Sequence, residues 1–282
     1  METAAVVLVL LSAFLHALWN ALLKRQEDPE AGIVAVSTVS VVLGGLWALG
    51  LHGEAFPAPA GWLWGVGAGV WEGLYLFSLA RSLRSAPLGL AYTVARGGAL
   101  LLVWPVSVLW LGEPLTVLTV AGALVLGVGL GVMGLARPGG PAGRGVLWAA
   151  VSAICIAGYH VAYKQALGAG AQPPALFALA LAVALPLLLL TRMRGGGLGA
   201  VLRQVRRSPL LVLATGGLCT LSFSLLLTAL AHAGAGAVLT LRNTSIAFAL
   251  GLAVLQGERP GRGQVSGAAL VMVGAALLGW PG

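Results

Sequence analysis

Charge is what this chain has least of. Only 9% of its 282 residues are Asp, Glu, Lys or Arg, against about 25% in a soluble domain. With 59% hydrophobic residues and a mean hydropathy of +0.97, the chain is not a soluble globule, which could not hide so much apolar surface. Nor is it a disordered chain, which would be polar. Acidic residues are scarcer still, eight against sixteen Lys and Arg, a net charge of +8. In a soluble protein that excess points to nucleic acid. In a membrane chain it reflects Lys and Arg gathered in cytoplasmic loops, so no nucleic-acid partner is expected. Two cysteines, Cys155 and Cys219, fall inside apolar runs and form neither a disulfide framework nor a zinc pattern. There is no His-Glu-x-x-His and no phosphate-binding Gly-x4-Gly-Lys-Ser/Thr. No metal, no cofactor and no ATP site are therefore expected, and no nucleophile motif suggests an intramembrane enzyme.

What is present is apolar sequence in lengths suited to a bilayer, where a spanning helix needs about 20 residues. Ten such segments can be drawn, at 3–23, 31–51, 61–80, 87–110, 116–136, 145–163, 174–191, 209–231, 236–256 and 264–280. No Lys or Arg precedes the first, and Lys24 and Arg25 follow it, so it reads as a retained helix rather than a cleaved signal. The chain also repeats itself. At an offset of 145, Gly112/Gly257, Glu113/Glu258, Val120/Val265, Gly122/Gly267, Ala123/Ala268, Val128/Val273, Gly129/Gly274 and Gly134/Gly279 coincide. At an offset of 140, so do Ser12/Ser152, Ala13/Ala153, Ala17/Ala157 and Lys24/Lys164. The expectation is an all-α polytopic membrane protein with ten transmembrane helices in two five-helix repeats, 1–137 and 144–282, joined by a linker at 138–143. An odd number of helices per unit inverts the second copy, an architecture common in secondary transporters.

The doubled pattern Leu111-Gly112-Glu113…Gly122 and Gln256-Gly257-Glu258…Gly267 resembles the EamA-type repeat of the drug/metabolite transporter superfamily, as do the length and the two halves. His16-Ala17-Leu18-Trp19-Asn20-Ala21-Leu22-Leu23-Lys24 resembles one subgroup of that superfamily, some members of which are associated with phosphonate utilisation. The resemblance implies a small-solute carrier, often an exporter, in the bacterial inner membrane. Thirteen Lys and Arg fall in loops 1–2, 3–4, 5–6, 7–8 and 9–10, and only Lys164 on the opposite side. The positive-inside rule puts those five loops in the cytoplasm and both termini outside.

Ionisable groups at mid-bilayer depth are costly and by default mark a pathway. Glu72, Arg96 and Arg242 lie inside segments 3, 4 and 9. Two arginines against one glutamate leave an excess positive charge, and the planar donor fork of arginine suits phosphate, phosphonate or carboxylate. The expected substrate is a small anionic or zwitterionic metabolite bound by Arg96 and Arg242, which sit in related places of the two halves. Trp19, Asn20, Trp71, Tyr75, Tyr92 and Asn243 are expected to shape the pocket. Glu72, with His16 and His160, is expected to couple protons or act as counter-ion; the alternative is a structural Glu72–Arg96 ion pair. Tyr159, Tyr163 and Lys164 cluster with His160 on segment 6. Glu113 and Glu258 read as structural groups at helix starts. The glycines at 61, 65, 69 and 73, and at 127 and 131, read as helix-contact faces. Rival functions are export of amino acids or drugs, an enzyme acting on lipid, and a non-transporting scaffold or sensor. The partners that follow are a small molecule and membrane lipid, with the oligomeric state open.

Overall fold

The computed structural model describes residues 3–110, 115–135, 141–193, 196–232 and 235–278. Glu113, Pro114 and linker residues 138–140 lie outside that range, while 141–143 already belong to a helix. Every regular element among the described residues is α-helical: α1 (Thr3–Lys24), α2 (Pro29–Leu49), α3 (Pro59–Ser85), α4 (Leu88–Trp110), α5 (Val117–Leu135), α6 (Pro141–Gly168), α7 (Pro173–Arg192), α8 (Gly197–Arg207), α9 (Pro209–His232), α10 (Ala235–Arg242), α11 (Ser245–Leu255) and α12 (Arg262–Leu278). Seven stretches are long and apolar enough to cross a membrane: α1, α2, α4, α6, α7, α9 and the run Val238–Leu255 through α10 and α11. The glycines, tryptophans and Glu72 of α3 keep it outside that set although it has 27 residues. Helices α5 and α12 supply shorter apolar spans.

Two features depart from the sequence reading. The polar stretch 192–209 is not a plain loop: it contains the amphipathic α8, which buries Ala200, Val201 and Gln204 while its arginines face out. Leu198, Val201, Leu202 and Val205 recur at helical spacing. The apolar segment 236–256 is two helices, not one. The backbone tightens to i→i−3 bonds at Asn243 (to Thr240 O, 3.0 Å), Thr244 (to Leu241 O, 3.1 Å) and Ile246 (to Asn243 O, 2.9 Å), placing Arg242 and Asn243 at the break.

The helices pack in pairs that can be compared between the two halves. Helix α3 packs on α6 and α7, α1 on α9 and α11, α2 on α7 and α9, α4 on α6, and α5 on α12. Exchanging α1 with α6, α2 with α7, α3 with α9, α4 with α10–α11 and α5 with α12 turns the α3·α6 pair into α1·α9 and the α4·α6 pair into α1·α11. It leaves α2·α7 and α5·α12 unchanged. The serines repeat the pattern. Ser12 Oγ donates to Ser222 O (2.7 Å) and Ser222 Oγ to Ser12 O (2.9 Å) between α1 and α9, while Ser78 and Ser152 share a 2.8 Å hydroxyl bond between α3 and α6.

One end of the bundle is tied by charge. Asp28 caps α2 at Ala31 N (3.0 Å) and pairs with Arg192 (2.6 Å); Arg84 meets Glu30 (3.1 Å), and Arg207 pairs with Glu27. Here the Gly-Glu motif becomes intelligible. Gly257, with φ of 87°, ends α11 in the left-handed region. Glu258 N then reaches back to Ala253 O (2.9 Å) and Gly257 N to Val254 O (2.9 Å), a helix-ending turn that only glycine takes without strain. The turn aims the Glu258 carboxylate at Leu88 N, the start of α4 (2.8 Å), and at Lys24 (3.4 Å). Glu258 thus stabilises the N-terminus of α4 rather than that of its own following helix.

The close approach of α5 and α12 rests on glycines, though not on those the spacing singled out. A Cβ on Gly127 or Gly131 would meet open space. Contact runs instead through Gly122 against Gly274 and Gly129 against Gly267, where an added Cβ would lie 2.5–2.8 Å from opposing backbone atoms. On α3, Gly65, Gly69 and Gly73 do face α7, with Ala180 O 2.6 Å from a Cβ on Gly69. Overpacking of this kind costs about 1–3 kcal/mol. Gly274→Ala is therefore expected to lower the apparent melting temperature of the purified protein, and Gly127→Ala to leave it unchanged.

Candidate functional site

The polar residues inside the bundle form one connected cluster, built upward from α1. His16, Trp19 and Asn20 share a face at i, i+3 and i+4 and are all fully buried. Asn20 Nδ2 donates to His16 O (2.7 Å). Trp19 Nε1 donates to His16 Nδ1 (3.2 Å), and Arg242 Nη2 donates to the same nitrogen (2.9 Å). An indole and a guanidinium can only donate, so Nδ1 carries the lone pair and Nε2 the hydrogen. His16 Nε2 has no partner. Arg242 Nη1 donates to Ser12 Oγ, itself fixed by Ser222, and the guanidinium lies 5.4 Å from the Phe223 ring centroid. Phe223 stacks on Phe177 (4.6 Å, 9°). Arg242, 1% exposed, is thus held by neutral acceptors and an aromatic face, with no carboxylate in salt-bridge range among the described residues.

Helix α6 presents the second wall. Tyr159 stacks on His160 (4.5 Å, 24°) and packs against Tyr75, Tyr163 and Phe223. His160 Nδ1 meets Ile156 O (2.7 Å). A carbonyl only accepts, so this nitrogen carries the hydrogen, the opposite assignment to His16. Tyr163 Oη donates to Glu72 Oε2 (2.7 Å), while Glu72 Oε1 is buried without a partner. The alternative Glu72–Arg96 ion pair is therefore not formed; a tyrosine hydroxyl holds the carboxyl.

Arg96 differs from Arg242. It is 6% exposed, yet among the described residues it has no ion-pair partner; its Nε is without a hydrogen bond, and the side chain beside it is the neutral Tyr92 hydroxyl. It borders a cavity of about 20 Å³ with Ala99, Leu100, Val103, Ile156, His160 and Asn243, room for about one water molecule. Arg242 does not border it, so the two arginines do not present themselves to the cavity alike. Asn243 Nδ2 donates to Leu239 O (3.1 Å), leaving its carbonyl oxygen at the break of α10 and α11. Tyr92 lies edge-on to His16 (6.0 Å), with its hydroxyl beside Ser245 and Arg96.

The structure thus brings together His16, Trp19, Asn20, Glu72, Tyr75, Tyr92, Arg96, His160, Arg242 and Asn243. Trp71 is the exception. It follows Glu72 around the helix to the outside, is 39% exposed, and lies over Gly158, whose Cβ would come within 2.5 Å of the indole. Adjacent residues on a helix point about 100° apart, so proximity in sequence to Glu72 did not carry it inward. Ser12, Ser222 and Phe223 were missed. The signal available was Ser12, four residues before His16 and hence on its face. Ser222 and Phe223 had none, because α9 has no apolar stripe to orient it.

Comparison with known proteins adds to this geometry. Residues 143–280 match the EamA-like transporter family. The second half therefore carries an EamA-like domain of the drug/metabolite transporter superfamily, and that family is membrane-embedded. No match was found among curated proteins. One solved structure, described only as the crystal structure of a protein, is similar over 99% of this chain and 98% of its own, with a TM-score of 0.64 and 23% identity. That likeness shows a shared fold and nothing of function. The EamA-like half supplies His160, Tyr163, Arg242 and Asn243; the other half supplies His16, Glu72 and Arg96.

An unpaired charge inside hydrocarbon is a standing cost, and replacing buried charge by well-packed apolar groups often stabilises by about 1–4 kcal/mol. Arg96→Met is therefore expected to raise the apparent melting temperature. Arg242→Lys is expected to lower it, because one ammonium does not reproduce the fork that bridges Ser12 and His16. Thermal melts of the two variants beside the parent protein check both.

Proposed function

We propose that the whole chain is a secondary active transporter that moves a small anion or zwitterion across the inner membrane by alternating access. The observation that carries this reading is Arg96: a deeply buried guanidinium with no counter-ion, facing a cavity beside His160 and Asn243. A scaffold or sensor has no use for such a group, whereas a carrier for phosphonates, phosphate esters or carboxylates does.

Ten membrane spans fit the architecture: the seven long ones, α3, and the shorter α5 and α12, with α10 and α11 as one broken span. Two inverted five-helix repeats, 1–137 and 144–282, are supported by the sequence repeat and by the helix pairs that survive exchange of the halves. Broken helices at mid-membrane are where transporters of this build hold their substrates. The arginine-rich end faces the cytoplasm by the positive-inside rule. A cavity of about 20 Å³ is too small for a metabolite, so this conformation is closed, and binding requires α4, α6 and α10 to part. Arg242, locked to Ser12 and His16, supplies a second positive centre once the closed packing loosens. Glu72, with one free carboxyl oxygen, is the proton-coupling group or the counter-ion of the empty site. The sequence resemblance of residues 16–24 makes phosphonates the first class to test.

Methylphosphonate at about 100 times its dissociation constant is expected to stabilise the protein by about 2.7 kcal/mol. Arg96→Gln is expected to abolish that shift; an undiminished shift in the variant overturns the arginine site. In proteoliposomes, Glu72→Gln is expected to lose the acceleration of transport by a proton gradient. Acceleration equal to that of the parent removes Glu72 from coupling.

A further inference from the structure

Trp71 lies in a place that headgroup anchoring does not explain. Tryptophan collects at headgroup level, yet Trp71 is 12 residues into α3, about 18 Å along the helix, and 39% exposed. It lines a lateral groove of about 300 Å³ with Trp64, Val103, Val106, Gly158 and Val161. The groove is open to the outside of the bundle and almost wholly apolar. Part of its floor is the indole itself, which lies flat on Gly158 because no side chain there lifts it.

This groove and the Arg96 cavity are neighbours. Val103 of α4 lines both. On α6, Ile156 and His160 face the cavity, while Ala157, Gly158 and Val161 face the groove. The seam between α4 and α6, at the level of half-buried Val103, is therefore a thin partition. On one side stands a guanidinium with no ion pair among the described residues, on the other an apolar trough reaching toward Trp64. A charged head and an apolar tail would each find their complement across that single side chain.

Building on the transporter reading, we propose that the substrate is an amphipathic anion. Its phosphonate, phosphate or carboxylate head sits at Arg96, and its alkyl or aryl tail passes between α4 and α6 into the groove bounded by the Trp71 indole where it rests on Gly158. The substrate class narrows from small polar metabolites to anions with one apolar arm. A lateral route from the lipid to the site follows from the same geometry.

The test uses n-alkylphosphonates from methyl to hexyl, with the full chain in lipid nanodiscs, and reads dissociation constants from thermal stabilisation. A methylene buried in an apolar site strengthens binding by up to about fourfold. The affinity is expected to climb by about twofold to fourfold per methylene until the groove is filled. Gly158→Leu, which would drive the indole up into the groove, and Trp71→Ala, which removes the indole, are each expected to bring the hexyl-to-methyl affinity ratio down toward one. Two variants acting by opposite changes of volume guard against a folding defect in either. If methylphosphonate binds in an Arg96-dependent way but hexylphosphonate binds no tighter, the tail site is wrong and the transporter reading stands. If hexylphosphonate gains equally in Gly158→Leu, Trp71→Ala and Arg96→Gln, the gain is partition into lipid, and the tail site is again wrong. If no member of the series binds, both the tail site and the anion site fall.

Discussion

Placing a guanidinium in hydrocarbon costs free energy at every moment the protein exists, and this chain does so twice. The rest of the bundle is arranged around that constraint. Arg242 is satisfied internally: the backbone breaks beside it, Ser12 and His16 accept its hydrogens, and Phe223 covers its face. Those acceptors are in turn fixed, Ser12 by Ser222 of α9 and His16 by the Trp19 indole one turn along α1. Arg96 has no such pair of acceptors and no ion pair among the described residues; it borders a small space shared with His160 and Asn243. One arginine is held by the protein; the other, on the proposed function, waits for an anion.

The same constraint explains why the two histidines hold their hydrogens on different nitrogens. His16 must offer a lone pair to Arg242, so its hydrogen sits on Nε2. His160 gives its Nδ1 hydrogen to Ile156 O and turns its ring onto Tyr159. Both choices are dictated by neighbours that can only donate or only accept. The tyrosines finish the cluster from the α6 side, with Tyr163 holding the Glu72 carboxyl that would otherwise seek an arginine.

Much of this was legible in the sequence, for identifiable reasons. Composition and segment length pointed to a membrane bundle because hydrocarbon tolerates little else. His16, Glu72, Arg96 and Arg242 stood out because an ionisable group in an apolar run must be accommodated somewhere. The repeat glycines were visible as matches between halves, yet spacing alone chose Gly127 and Gly131 as contact residues when the backbones meet at Gly122, Gly129, Gly267 and Gly274. Four-residue periodicity does not say which face meets a neighbour. The break at Asn243 was hidden because no proline or glycine marks it. Trp71 was misplaced for the opposite reason: its neighbour Glu72 was read as a guide to its direction, which a helix does not permit. The arginine-rich stretch concealed α8, whose apolar residues are outnumbered but correctly spaced.

The central claim is that Arg96 faces an anion. A structure of the protein determined with methylphosphonate bound tests it most directly. The account predicts density for the phosphonate within hydrogen-bonding distance of the Arg96 guanidinium, between α4, α6 and the α10–α11 break, in a cavity enlarged from that of the closed state. Density elsewhere, with Arg96 turned onto the Glu72 carboxylate in an ion pair, would contradict it.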